Sequence, residues 1–146
     1  MKFSNEAMRD VLMFLEENLC YETDKHGEEI KSCYTIYQII EDDYFNKLFK
    51  KHGYTQDELK YTIEKMLEAH IIQSNRNSSL AFEICGISFY GIQLLNAIRP
   101  MDAWNKTKSI IKQVGNHSLK FVEETAQMVA IELAKQTVAI MMSQNK

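Results

Sequence analysis

TQDELKYTIEKMLEAHIIQSNRNSSLAFEICGIS, residues 55–88, is the stretch on which the reading of this chain turns. Thr55-Gln56-Asp57-Glu58 has the T-x-x-E form of a capping box. In that motif the threonine hydroxyl accepts from the glutamate backbone N–H, and the glutamate side chain reaches back to the threonine N–H. Leu59, Ile63, Met66 and Leu67 follow at helical spacing, leaving Gln56, Lys60, Tyr61, Glu64 and Lys65 on the outer side. Ile71-Ile72-Gln73 then reads as a short strand, Asn75 to Ser79 as a polar turn, and Leu80 to Ile84 as a second strand. A capped helix therefore leads at once into a two-stranded ribbon with a polar tip.

Upstream, Thr35 to Lys51 carries Ile36, Ile39, Ile40, Phe45, Leu48 and Phe49 at helical period, with a break expected at Asp42-Asp43 and Gly53 as the C′ residue. Ser4 is placed to cap a helix over residues 5–19, with Met8, Val11, Leu12, Leu15 and Leu19 inward and Glu6, Arg9, Asp10 and Glu16 mainly on the other face. Asp24-Lys25-His26-Gly27 is a turn signal, and the segments around Tyr21 and Ile30 to Tyr34 read as a short hairpin.

Downstream, Ser88 caps a helix to about Arg99, with Phe89, Ile92, Leu95 and Ile98 expected inward. Pro100 breaks that helix and opens the next, because a proline is tolerated in a first turn. Trp104, Thr107, Ile110, Ile111 and Val114 lie along the new helix, and Gly115 stops it. Ser118 caps a last helix over residues 119–143. There Leu119, Val122, Ala126, Val129, Leu133 and Ile140 make a heptad-like seam, broken by Gln136 and widened by Ala130, Ala134, Val138 and Met141. That width implies burial on two sides or self-association. Val122, Ala126, Val129, Leu133 and Ile140 are the expected homodimer contacts.

The fold class expected is mainly α with a small β-ribbon (α+β). The order of helix, second helix and ribbon is that of a winged helix-turn-helix core, here with added C-terminal helices. Many small α+β domains share the same order. The expected division is a winged-helix-like domain over 1–99 and a helical extension over 100–146 that packs on it or mediates self-association.

Composition agrees. Apolar residues at 45% and charged residues at 25% are near the globular average, which excludes collagen-like, mucin-like and disordered readings. Five Gly and one Pro are too few for an all-β sandwich. Net charge is −3, unevenly spread. Residues 1–44 carry four Lys/Arg against eleven Asp/Glu, whereas residues 45–120 carry eleven against six. A basic middle suits a phosphate-facing surface, and it also suits attraction between the two segments within one fold.

The three cysteines, Cys20, Cys33 and Cys85, are odd in number with no C-x-x-C pair, so they read as small core residues in a reducing cytoplasm rather than a disulfide framework. The N-terminus lacks the apolar run of a signal peptide, and Glu123, Glu124, Glu132 and Lys135 interrupt the longest weakly charged stretch, so no membrane span is expected. His26, His52, His70 and His117 lack ligand spacing, so no metal site is expected. Asp42-Asp43 and Glu123-Glu124 point in different directions on a helix, unlike a paired acid/base site. No phosphate-binding glycine loop or nucleophile elbow occurs. The expectation is a non-enzymatic protein without cofactor.

Gln56, Lys60, Tyr61 and Lys65 form the candidate DNA-facing set on the helix after Thr55, since Lys neutralises phosphate and Gln reads base edges. Asn75, Arg76 and Asn77 at the ribbon tip are candidates for the minor groove, and Lys50 and Lys51 for the backbone. Against this, residues 55–69 hold two Lys and four acids, unlike a strong non-specific DNA binder. The basic run Arg99, Lys106, Lys108, Lys112 and Lys120 reads as a wet helix face or a second phosphate surface. The expected partners are double-stranded DNA and, as the alternative, a protein bound by the same fold.

ISFYGIQLLNAIRPMDAW, residues 87–104, resembles the signature of the phage- and prophage-associated domain-of-unknown-function family 2513. Members typically read LTWEGHEFLDAIRD…W after a ribbon. Ile87, Ser88, Phe89, Gly91, Leu94, Leu95, Asn96, Ala97, Ile98, Arg99 and Trp104 match exactly or by type. Leu67, Glu68, Ala69, Ile71 and Ile72 match the family's LLxEAGLI. Phe89, Tyr90, Ile92 and Pro100 depart from the usual tryptophan, glutamate, histidine and acid. The resemblance implies a winged-helix fold in a bacterial or phage protein. It carries over no activity and no catalytic residue.

Overall fold

In the computed structural model, residues 1–75 and 83–145 are described. The helices are α1 (Asn5–Asn18), α2 (Ile36–Ile40), α3 (Asn46–His52), α4 (Gln56–Glu68), α5 (Phe89–Ile98), α6 (Met101–Val114) and α7 (Leu119–Gln144). The strands are β1 (Tyr21–Thr23), β2 (Glu29–Lys31), β3 (Tyr34–Thr35), β4 (Ile72–Asn75) and β5 (Glu83–Ile87), and a 3-10 turn spans Asp43–Phe45. The class is mainly α with two small antiparallel sheets, as the periodicities require. The chain divides into two compact units, Met1–Ile92 and Gln93–Lys146, with the division inside α5.

In the first unit, local signals set the element ends. Ser4 accepts from the Ala7 N–H and starts α1. Asp42 caps the 3-10 turn through the Tyr44 N–H, which accounts for the break between α2 and α3. Gly53 takes φ 75°, the left-handed conformation that closes α3 without a Cβ penalty. The capping box at α4 is complete, with Thr55 Oγ1 accepting from the Glu58 N–H at 3.1 Å and Glu58 Oε1 from the Thr55 N–H at 3.2 Å.

β1 and β2 pair as a separate ribbon, Tyr21 opposite Lys31. β3, β5 and β4 form a three-stranded sheet in that order, all antiparallel, with β5 central. α1 packs on α4 and on β5, and α2 packs on α4. The core holds Met8, Leu12 and Leu15 of α1, Ile39, Phe45, Leu59, Ile63, Met66 and Ile84. Phe14 is its aromatic hub, with ring centroids 5.4 Å from Tyr34, Tyr44 and Phe45. Thr62, fully buried, accepts from the Ser4 N–H at 3.0 Å and ties the start of α1 to α4.

The join between α4, β4 and α5 is tight. Ile71 N–H donates to the Met66 carbonyl, and Ser88 donates to the Ile71 carbonyl from both N–H and Oγ, each at 3.0 Å. Ser88 Oγ also accepts from the Gly91 N–H at 2.9 Å, capping α5. Gly91 lies so close to the Ile71 carbonyl that a Cβ there would overlap it. His70 takes φ 58° immediately before this join, a left-handed residue that ends α4.

Several expectations change. The second ribbon strand runs on to Ile87, past the expected end at Ile84, while Leu80, Ala81 and Phe82 lie outside the described residues, and Tyr34 pairs with that strand rather than with the Tyr21 segment. Phe89 and Ile92 face outward, 75% and 42% exposed. The apolar stripe of α5 is Leu94, Leu95, Ala97 and Ile98, because seating Gly91 against Ile71 rotates Phe89 and Ile92 away. Arg9 and Asp10 are buried rather than on a wet face, and His52 of α3 and Tyr54 both meet the Asp10 carboxylate. None of the cysteines is a core residue. Cys33 and Cys85 are half-buried and joined by a disulfide, and Cys20 is exposed and free. Tyr34 pairs with Ile84, so the antiparallel register sets Cys33 directly opposite Cys85, with Cα atoms 4.4 Å apart. The two residues lie 52 positions apart in sequence, where spacing rules have no purchase.

In the second unit, α6 starts at Pro100 and ends at Gly115, and it packs along α7 through Ala103, Trp104, Thr107, Ile111, Val122, Ala126 and Val129. Ser118 caps α7 by accepting from the Phe121 N–H. Among the described residues, no helix is long and apolar enough to cross a membrane.

Gly91→Ala is expected to destabilise the chain by about 1–3 kcal/mol, the cost of forcing an extra methyl against fixed backbone. Urea unfolding of the two proteins measures it, and an unchanged midpoint contradicts this account of the join.

Candidate nucleic-acid interface

α4 offers one side to the core and the other outward. Leu59, Thr62, Ile63 and Met66 are buried, while Gln56 and Glu64 are exposed and Lys60, Tyr61 and Lys65 half-exposed. Lys60 Nζ sits 5.4 Å from the ring centroid of Tyr37, a 63%-exposed residue of α2. That contact holds the ammonium at the surface at a gain of about 0.5–1 kcal/mol. Lys65 Nζ donates to both carboxylate oxygens of Glu68, at 3.2 and 3.0 Å, and lies 5.3 Å from the Tyr61 ring centre. The Glu68 hydrogen bond raises the Lys65 pKa. Its charge is thus largely answered within the helix.

Lys50 and Lys51 stand exposed in the last turn of α3, which has no acid in its first turn. Asn75 closes β4, half-exposed. Arg76 and Asn77 lie outside the described residues. The structure thus spreads Gln56, Lys60, Tyr61 and Lys65 around the outward half of α4, with Gln56 and Lys65 at its opposite edges, and sets Lys50 and Lys51 on the preceding helix.

Of the expected dimer contacts, Val122, Ala126 and Val129 are already buried in the folded chain. Leu133 is half-exposed and Ile140 is 59% exposed. At 1.5 Å per residue, 26-residue α7 is about 39 Å long and 14-residue α6 about 21 Å, so the second half of α7 outruns its partner helix.

Behind α4 lies a polar cluster that periodicity did not indicate. His52 Nδ1 is 2.6 Å from Asp10 Oδ2, and the Tyr54 hydroxyl donates to the same oxygen at 2.8 Å. Burial holds the Asp10 carboxyl above the usual range, with the bonds from His52 and Tyr54 opposing. Burial and the Asp10 charge push the Tyr54 hydroxyl up as well. The cluster pins α1 to the α3–α4 turn, the turn that aims α4. The only sequence sign of it was an acid at a position adjoining the apolar stripe of α1.

The family described as Hypothetical protein (DUF2513) matches residues 2–117. The chain belongs to that family. The match takes in α1 through α6 of this DUF2513 protein and stops before α7. No curated protein and no solved structure matches it. Within the matched span, Ser88 and Gly91 have a plain physical role, since both meet the Ile71 carbonyl.

Asp10→Ala is expected to cost about 2–4 kcal/mol, because it leaves the Tyr54 hydroxyl and the His52 ring without their partner in a buried setting. Lys65→Ala, which removes an exposed pair, is expected to leave the unfolding midpoint essentially unchanged. Denaturant midpoints measured side by side check both, and equal losses contradict the assignment.

Proposed function

We propose that this DUF2513 chain is a non-enzymatic winged-helix protein of phage or prophage type that binds double-stranded DNA as a transcription regulator. The observation that carries the reading is a topology. The antiparallel order β3-β5-β4, entered directly from a capped helix with a free outer side, is what a winged helix requires. In this reading α4 enters the major groove, with Gln56 at base edges and Lys60 and Tyr61 at the groove wall. Lys50 and Lys51 meet phosphates. Asn75, Arg76 and Asn77 are the residues this reading assigns to the minor groove.

The charge on α4 sets the expected strength. Glu58 is held by the capping box and Glu68 by Lys65, which leaves Asp57 and Glu64 facing outward beside Lys60. Binding is therefore expected to be modest and strongly salt-dependent. Fluorescence polarisation with a labelled duplex at about 50 mM and 200 mM salt tests it. Measurable binding at the lower salt that weakens at the higher, and weakens further in Lys60→Glu, supports the reading. No binding at about 50 mM salt overturns it.

A second reading is favoured by the four acids of α4 and the open Tyr37 ring, namely a module that binds a host protein through the same face. Fold alone does not choose between them. Either way, we infer a homodimer through the second half of α7, where Val138, Ile140, Met141 and Met142 are each more than half exposed. Ile140→Glu is expected to halve the mass seen by light scattering. A wild-type chain that is already monomeric contradicts the dimer.

A further inference from the structure

Two of the three cysteines line one groove, and the third is bonded to one of them. Cys33 and Cys85 are bonded across β3 and β5, and neither is fully buried. Cys20 is free and exposed at the entrance to the β1–β2 ribbon. Its carbonyl accepts from the Ser32 N–H at 2.8 Å and its N–H donates to Ser32 Oγ at 2.9 Å, so it is tied to the residue next to Cys33. Cys20 and Cys85 both line one open groove of about 320 Å³, with Leu15, Leu19 and Ile87 as its apolar wall and Lys31 at the side. Glu22 Oε1 lies 3.8 Å from Cys20 Sγ and accepts its S–H. A free cysteine and a half-buried disulfide cysteine therefore line one open groove.

We propose that Cys20, Cys33 and Cys85 form a thiol–disulfide exchange unit, in which the Cys20 thiolate attacks Cys85 Sγ and moves the bond from Cys33–Cys85 to Cys20–Cys85. The step balances within the chain. A Cys20–Cys85 bond forms and the Cys33–Cys85 bond breaks, with the electron pair leaving on Cys33. The proton that Cys20 gives to water is replaced by one that the Cys33 thiolate takes up. Nothing is oxidised or reduced overall, so no outside reagent is needed. Exchange proceeds through the thiolate, so it quickens as pH rises.

The consequence is mechanical. Before exchange, the covalent tie holds β3 to the centre of the three-stranded sheet. After it, the tie holds the β1–β2 ribbon to that sheet and releases Cys33. This inference does not depend on DNA binding.

The test uses the full chain purified without reductant, held at about pH 8, where a thiolate is appreciably populated, then labelled with iodoacetamide and mapped by mass spectrometry. The expected products are label on Cys20 with a Cys33–Cys85 bond, and label on Cys33 with a Cys20–Cys85 bond. The second is expected to form at a rate unchanged by about tenfold dilution, since exchange is intramolecular. Cys20→Ser, checked for native circular dichroism, is expected to keep the Cys33–Cys85 bond and take no label. Label confined to Cys20 in the wild type overturns the proposal. So does a Cys20–Cys33 bond in place of Cys20–Cys85, a rate that falls with dilution, or two labels in Cys20→Ser.

Discussion

The carbonyl of Ile71 is the point from which the first unit is organised. It lies just past the end of α4, accepts twice from Ser88, and leaves no room for a side chain on Gly91. Helix, ribbon and following helix therefore share one backbone atom as a pivot. A half-turn slip of α4, or a one-residue slip of β5 against β4, breaks both Ser88 bonds and brings a side chain against that carbonyl. The register Ile72 opposite Ile87 follows from the same contact. Because the side-chain period of a strand is two, that register also decides which residues of the sheet face the core.

Around this pivot, buried groups fix the direction of α4. Phe14 collects three rings from β3 and the 3-10 turn, and Asp10, one turn earlier on the same side of α1, collects His52 and Tyr54. α1 thus grips the chain before α4 by apolar and polar contacts set one turn apart on one side. The polar grip is conditional, because a buried carboxyl is costly unless its hydrogen bonds are made. The arrangement stiffens the elements that carry Lys50, Lys51 and Lys60 while keeping those lysines at the surface.

Signals carried by neighbouring residues were legible in the sequence. Ser4, Thr55–Glu58, Gly53 and Ser118 each act within three or four positions and hold in the structure. The match of ISFYG to a family signature was legible too, and the Ile71–Gly91 contact gives it a physical cause. What stayed hidden depends on distant pairs. Cys33 meets Cys85 and Asp10 meets His52 only once the sheet and α3 are in place. Of the expected α5 stripe, Leu95 and Ile98 hold, but Phe89 and Ile92 do not, because they are as apolar as the buried Leu94 and a backbone contact, not hydropathy, chooses between them. For the candidate site, the outer face of α4 was visible as a set, but the pairing of Lys65 with Glu68 and of Lys60 with Tyr37 was not.

The reading as a DNA binder rests on a surface whose charge is finely balanced, so location matters more than affinity. The most direct measurement is a backbone-amide NMR titration of the ¹⁵N-labelled chain with a short duplex at low salt. The account predicts shifts that concentrate on Lys50, Lys51, Gln56, Lys60 and Tyr61 and leave the core residues of α1 in place. Shifts confined to α7, or none anywhere, contradict it.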